Sequence, residues 1–194
     1  VDFCGVRFKN PVVVSSAEPT MNAGNMRRAV EAGAGGVVAK TMTDTPALRE
    51  LTGRAKWRFL NERHEVCRGK VPRGFSLYGR SGLCREEPEE YAREIREALK
   101  VASAHDAVVV GSIASTDPPG WVDLARRMED TGVPLLELNY GCPHPQMMGG
   151  LRAGMNIGQD PDFACRICQA VTEAVHIPVS VKLSPYYTST PNVV

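Results

Sequence analysis

The stretch LLELNYGCPH, residues 135–144, decides the fold of this chain. Its first half is an apolar run typical of a buried β-strand, and Gly141 and Pro143 end that run abruptly. Asn139 and Cys142 are therefore predicted where the carboxyl end of the strand meets its loop, which is where parallel α/β folds perform chemistry. Cys142 is either a thiol for proton transfer or nucleophilic attack, or a small buried residue in a sharp turn, and the stretch alone favours neither.

Apolar, β-branched strands alternate with amphipathic helices along the rest of the chain. A small hairpin over residues 3–8 precedes the main fold. The patterns predict core strands at 11–16, 35–40, 107–113, 135–139 and 178–183, and helices at 21–32, 88–104, 119–131 and 162–174. Strands buried on both faces and repeatedly followed by helices indicate a parallel sheet or barrel.

The extent of the chain bears on which parallel fold it forms. A (βα)8 TIM barrel needs about 250 residues, and no sixth to eighth strand follows residue 183. A separate five-stranded parallel sheet would leave two open edges. We therefore expect the N-terminal portion of a barrel, one domain over residues 1–194 that is incomplete at its C-terminal end. Residues 41–83 are irregular and basic, and a segment of that length is expected to be functional or to contain small elements of its own.

Composition excludes several classes of protein. A net charge of +1 gives no reason to expect nucleic acid or an anionic membrane as a partner. No apolar run approaches the ~20 residues that span a bilayer, and residues 1–5 do not resemble a signal peptide. The six cysteines are scattered, which indicates reduced thiols and a cytoplasmic location. Cys165 and Cys168 lie in a helical pattern without a second pair, and the four histidines are dispersed, so we expect no metal site.

Seven residues, all but Ala17 with a polar or thiol side chain, are predicted at the carboxyl ends of strands that meet at one mouth of the barrel. They are Ser16, Ala17, Lys40, Thr41, Asn139, Cys142 and Lys182. A single lysine at such a place usually extends to solvent. Two lysines flanking an amide and a thiol instead predict a site for a planar, electron-accepting cofactor whose reduced form is anionic.

Several short motifs, in order, resemble the dihydroorotate dehydrogenase family, and most closely the flavin domain found in dihydropyrimidine dehydrogenases. They are FCGVRFKNP (3–11), SSAEPT (15–20), AKT (39–41), ELNYGCPH (137–144), GQDP (158–161) and VKLSP (181–185). The similarity extends over nearly the whole chain except residues 44–83.

This resemblance implies a barrel that holds FMN at its mouth and a set of roles for the residues there. The cofactor-binding residues would be Ser16, Ala17, Lys40, Thr41 and Lys182, with Lys182 near the pyrimidine end of the flavin. Asn139, Tyr140 and Gly141 would bind the substrate, and Cys142 would be the general acid or base.

The implied reaction forms or reduces a carbon–carbon double bond beside a carbonyl in a pyrimidine-type substrate, dihydropyrimidine or dihydroorotate. The flavin exchanges the hydride, the thiol exchanges the proton, and a lysine ammonium stabilises the charge left on the reduced ring. Gly141 replaces the family's usual serine, and residues 71–83 lack the asparagine that relatives place against the pyrimidine, so Tyr78 or Ser81 would have to serve instead.

The sequence contains no cysteine cluster for an iron–sulfur centre. Electrons would then come from a free reductant, or from another subunit that carries NAD(P)H and flavin or iron–sulfur chemistry, and we expect a homo-oligomer. Two alternatives remain open. Dihydrouridine synthases share a similar Asn-x-Gly-Cys-Pro motif, although the low net charge argues against a tRNA substrate. The other alternative is a non-catalytic barrel remnant that serves as a subunit or scaffold. Barrels often bind the phosphate of a ligand in the loops after strands seven and eight, and neither strand is predicted here.

Overall fold

The computed structural model describes residues 1–53, 56–143 and 151–184. Ten strands and six helices follow one another in these ranges. In chain order they are β1 (Asp2–Phe3), β2 (Val6–Arg7), β3 (Val13–Val14), α1 (Ala23–Glu31), β4 (Gly36–Val38), β5 (Met42–Thr43), α2 (Pro46–Gly53), β6 (Lys56–Leu60), β7 (Ser76–Arg80), α3 (Pro88–Ala104), β8 (Val108–Ala114), α4 (Pro118–Glu129), β9 (Leu136–Asn139), α5 (Met155–Gly158), α6 (Pro161–Ala174) and β10 (Val179–Lys182).

The central sheet is parallel, with the spatial order β3-β4-β8-β9-β10, and β5 pairs with β8 beyond the end of β4. All five predicted core strands and all four predicted helices are confirmed, with shifts of a few residues at their ends. This is the arrangement expected for the first strands of a (βα)8 barrel. None of the helices in the described ranges is long and apolar enough to cross a membrane.

The two faces of the sheet bury different residues, because side chains alternate along each strand. Leu136 and Leu138 of β9 are fully buried and pack with helical residues such as Leu124 and Ile167 in the main core. The opposite face has a smaller apolar cluster of Phe8, Val38, Val108, Val110 and Leu135. Burying each large aliphatic side chain stabilises the fold by about 1.5–3 kcal/mol, so the layer between sheet and helices dominates stability.

Three side chains cap the N-termini of helices that follow the parallel strands. Asn22, Asp117 and Asp160 accept hydrogen bonds from the backbone N–H groups of Asn25, Gly120 and Phe163 at 2.9, 2.9 and 3.0 Å. Each satisfies an N–H group that would otherwise lack a partner in the first helical turn. These caps fix the loops on the side of the sheet where the predicted site lies.

Residues 41–83 contain the small elements that their length suggested. After β5 and α2, strands β6 and β7 form an antiparallel hairpin that pairs Lys56 with Arg80 and Leu60 with Ser76. The rings of Phe59 and Phe75 meet edge to face with centroids 5.2 Å apart. The chain then returns to the sheet at Cys84, whose N–H group donates to the Thr41 carbonyl at 2.8 Å.

Candidate active site

A cavity of about 280 Å³ lies at the carboxyl ends of the parallel strands. It brings together eight of the nine residues predicted for the site: Ser16, Ala17, Lys40, Thr41, Asn139, Gly141, Cys142 and Lys182. Their roles remain predictions. The remaining lining residues are Glu18, Ser81, Gly82, Leu83 and Pro143.

Strand register explains how distant residues reach this cavity. Lys182 of β10 pairs with Asn139 of β9, so the two side chains leave the same face of the sheet. On the neighbouring strand β8, the residue level with Glu137 is Ser112. Glu137 and Asn139 therefore point away from the helices, while Leu138 between them enters the main core.

The Thr41 hydroxyl is the centre of a buried hydrogen-bond network. Its Oγ1 atom lies 3.0 Å from Ser16 Oγ, 2.9 Å from Ser112 Oγ and 3.0 Å from Asn139 Nδ2. Ser112 donates its only hydroxyl proton to Glu137 Oε1 at 2.8 Å, so it accepts the proton of Thr41. Thr41 in turn accepts from the Asn139 amide and from Ser16. The hydroxyl protons are thus all oriented toward the Glu137 carboxylate.

This network also fixes the Asn139 amide. Nδ2 donates to Thr41, and Oδ1 accepts the N–H group of Gly141 at 3.2 Å. The reverse orientation would face the amide oxygen toward a hydroxyl whose proton is already used, and the NH₂ group toward a backbone donor. One N–H and one oxygen lone pair of Asn139 remain for a ligand.

Each lysine of the cavity has a carboxylate partner. Lys40 Nζ lies 3.0 Å from Glu18 Oε1, and Lys182 Nζ lies 3.4 Å from Glu137 Oε1. The side chain of Lys40 is only 7 % exposed, whereas that of Lys182 is 35 % exposed. Partial burial would raise the pKa of Glu18, but the nearby Ser81 hydroxyl and the Lys40 ammonium outweigh it and hold that pKa below its usual value.

Cys142 lies at the rim of the cavity, partly exposed. Its carbonyl oxygen accepts the N–H group of Met155 at 2.9 Å. Gly154 makes this approach possible: it has φ +51°, and a Cβ atom there would lie 2.3 Å from the Cys142 oxygen. The backbone at Gly154 and Met155 therefore holds the backbone of Cys142 in place. His144 lies outside the described residues.

Tyr140 is the one predicted site residue whose side chain the structure places away from the cavity. Its ring is buried in the main core, edge to face with Trp121 at 5.4 Å between centroids, and its hydroxyl donates to the Ala164 carbonyl at 3.2 Å. Burial raises the pKa of Tyr140. Only the backbone of Tyr140 can therefore contact a ligand in the cavity.

Sequence reasoning missed three polar residues of the site: Glu18, Ser112 and Glu137. A signal existed for the last two, because each is a polar residue inside an otherwise apolar strand, where an unpaired polar group would be costly. Of the two candidates considered for the missing asparagine, Ser81 lines the cavity, whereas Tyr78 is half exposed on the hairpin and does not.

The cysteine pair on α6 lies apart from the cavity. Cys165 and Cys168 are both free thiols, and burial raises the pKa of Cys168. Among the described residues, no group of three or more histidine, cysteine or acidic side chains is arranged to hold a metal ion.

Comparison with known proteins identifies the family. The sequence profile of the dihydroorotate dehydrogenase family matches residues 1–193. The chain is 31 % identical over 191 residues to the catalytic subunit of dihydroorotate dehydrogenase B (NAD(+)) of Methanocaldococcus jannaschii, which covers 96 % of this chain and 54 % of that protein. It is 31 % identical to the NAD-dependent dihydropyrimidine dehydrogenase subunit PreA of Escherichia coli, covering 95 % of this chain and 41 % of that one. The chloroplastic dihydropyrimidine dehydrogenase (NADP(+)) of Arabidopsis thaliana is 28 % identical, with 95 % and 42 % covered. The chain thus spans about half the length of these relatives. It belongs to the dihydroorotate dehydrogenase family.

Proposed function

We propose that this chain forms the front part of an FMN-dependent oxidoreductase that acts on a CH–CH or C=C bond of a pyrimidine-type substrate. The observation that supports it most is the convergence of the Cys142 thiol, the fixed Asn139 amide and two lysines on one cavity at the carboxyl ends of parallel strands. The names of the relatives, dihydroorotate and dihydropyrimidine dehydrogenases, support the same class of reaction.

The donors that line the cavity suit the polar edge of a flavin ring. FMN would be bound by the ammonium groups, hydroxyls and backbone groups of Ser16, Ala17, Lys40, Thr41 and Lys182. When bound, the cofactor would exchange a hydride with the substrate. As the family resemblance implies, Lys182 would lie near the pyrimidine end of the ring. Its 3.4 Å pairing with Glu137 leaves N–H groups available for a ligand there.

The substrate would lie between the flavin and the rim of the cavity. Asn139 would hold it through the N–H and lone pair that its network leaves unused, with the backbone of Tyr140 and Gly141 beside it. Cys142 Sγ would give a proton to the substrate carbon next to the one that exchanges the hydride, or take it in the oxidative direction. Proton and hydride together balance the reduction of one double bond.

Partners and context follow from this proposal. Two relatives are named as subunits, which supports a separate electron-donating subunit with NAD(P)H and flavin or iron–sulfur chemistry. A homo-oligomer, a single FMN-binding domain over residues 1–194 and a cytoplasmic location remain predictions.

The visible absorption spectrum of the purified chain, with and without added FMN, tests the proposed function. We expect the spectrum of a bound flavin, and a shift of its bands when uracil, dihydrouracil or orotate is added. Bound flavin without a shift for any of the three would argue against a pyrimidine substrate. No bound flavin would favour the non-catalytic scaffold.

A further inference from the structure

We propose that Glu18 is a specificity-determining residue that makes this site select neutral pyrimidines and reject pyrimidines that bear a carboxylate. The inference rests on the proposed function and names the substrate class of the same site. Uracil and dihydrouracil represent the neutral class, and orotate and dihydroorotate the carboxylate class.

The charges at the cavity balance one another. Three charged side chains line it, Glu18, Lys40 and Lys182, and Glu137 lies directly behind Lys182. Both lysines are matched by a carboxylate, at 3.0 Å for Lys40 and at 3.4 Å for Lys182. Within the described part of the chain, the cavity therefore offers a net formal charge of zero and no unmatched cation.

The backbone that presents Glu18 is anchored next to Lys40. Glu18 begins a short 3-10 turn, Glu18–Thr20, and the Thr20 carbonyl accepts the backbone N–H group of Lys40 at 3.0 Å. The Asn25 side chain donates to the Glu18 carbonyl at 3.0 Å. The turn that presents Glu18 is thus tied to the backbone of its partner lysine, and the Lys40 side chain is almost completely buried.

The Glu18–Lys40 pair disfavours a negatively charged ligand. Besides its proposed contact with FMN, Lys40 is already paired with Glu18, so a carboxylate on the pyrimidine ring would have to compete with Glu18 for the Lys40 ammonium. It would also lie close to a second negative charge. A neutral pyrimidine presents only carbonyl and N–H groups. The Asn139 amide, the hydroxyls and the remaining lysine N–H groups can pair with these, and no charge is left uncompensated.

Binding of uracil and orotate to the purified chain, by calorimetry with saturating FMN throughout, tests the inference. We expect the unaltered chain to bind uracil at least about tenfold more tightly than orotate. Glu18→Gln keeps the shape but removes the charge, so orotate binding should tighten by about tenfold while uracil binding stays within about twofold. Glu97→Gln, an exposed glutamate paired with Lys100 on α3, is the matched control and should change neither.

The outcomes separate this inference from the proposed function. If the unaltered chain binds orotate as tightly as uracil, or if Glu18→Gln changes both ligands equally, the specificity role of Glu18 is wrong and the pyrimidine oxidoreductase stands. If neither pyrimidine binds, the proposed function is overturned and the inference with it. The ratio for the unaltered chain decides even if Glu18→Gln does not fold.

Discussion

Glu137 Oε1 lies 3.4 Å from Lys182 Nζ, diagonally across the neighbouring parallel strands β9 and β10, and the same oxygen accepts the Ser112 hydroxyl at 2.8 Å. One carboxylate therefore neutralises a lysine of the candidate site and receives the last proton of the hydroxyl network around Thr41. A substitution at Glu137 should therefore change the pairing of Lys182 and the orientation of the Asn139 amide together.

Replacing Glu137 by Gln should destabilise the chain by about 1–3 kcal/mol, because it leaves Lys182 without its counter-charge and weakens the acceptor of Ser112. The variants Glu137→Gln, Lys182→Met and their combination form a double-mutant cycle that urea unfolding can measure. We expect a coupling of about 1 kcal/mol, since the two side chains touch. Strictly additive effects would show that the pair contributes nothing to stability.

Replacing Cys142 by Ala should leave flavin binding unchanged and slow substrate turnover by about 10²–10⁴-fold, because the proton then has no donor or acceptor at that position. Steady-state rates and the bound-flavin spectrum, measured on the same preparation, test this. Cys165→Ala, an exposed thiol on α6, is the control and should change neither. Unchanged turnover in Cys142→Ala would remove the thiol from the mechanism.

Replacing Gly154 by Ala should cost about 1–3 kcal/mol, because the residue has φ +51° and the added Cβ would lie 2.3 Å from the Cys142 oxygen. The clash should also break the Met155–Cys142 backbone hydrogen bond and displace Cys142. Urea unfolding gives the cost. Gly53→Ala is the matched control, because a Cβ at Gly53 meets no atom of the described residues within 4 Å. An equal loss in both variants would contradict the prediction.

Glu18 should make stability depend on pH in the acid range. Its pKa is lowered in the folded chain although partial burial opposes this, because the Ser81 hydroxyl and Lys40 favour the charged form. Its contribution is then complete above the ordinary glutamate pKa of about 4.3 and is lost as the pH falls through the lowered value. Urea unfolding between about pH 6 and about pH 3 should show a steeper loss of stability for the unaltered chain than for Glu18→Gln. Parallel curves would mean that the Glu18–Lys40 pair gives no net stabilisation.

The sequence by itself determined the class of fold and most of the residues that meet at the candidate site, but not their roles. The continuous apolar runs around Val109 and Leu136 and the capped helices are local patterns, so the parallel strands and their helices could be predicted with small errors at the ends. The residues at the strand ends could be predicted as neighbours, because parallel strands bring their carboxyl ends to the same edge. The hairpin of β6 and β7 was missed: β6 (KWRFL) alternates basic and aromatic residues, but β7 (SLYGR) shows no alternation and contains Gly79, which weakens a strand signal.

Only the tertiary structure decided which polar groups pair. Asn139 meets Thr41 across 98 positions of sequence, and Glu18 meets Lys40 across 22. Tyr140 and Asn139 are adjacent in the chain, yet the strand turns one toward the core and the other toward the cavity. Such contacts depend on strand register and on which face each residue leaves, and these are fixed by the packing of the whole sheet against its helices. The charge balance of the cavity, and with it the expected preference for neutral pyrimidines, follows from that packing.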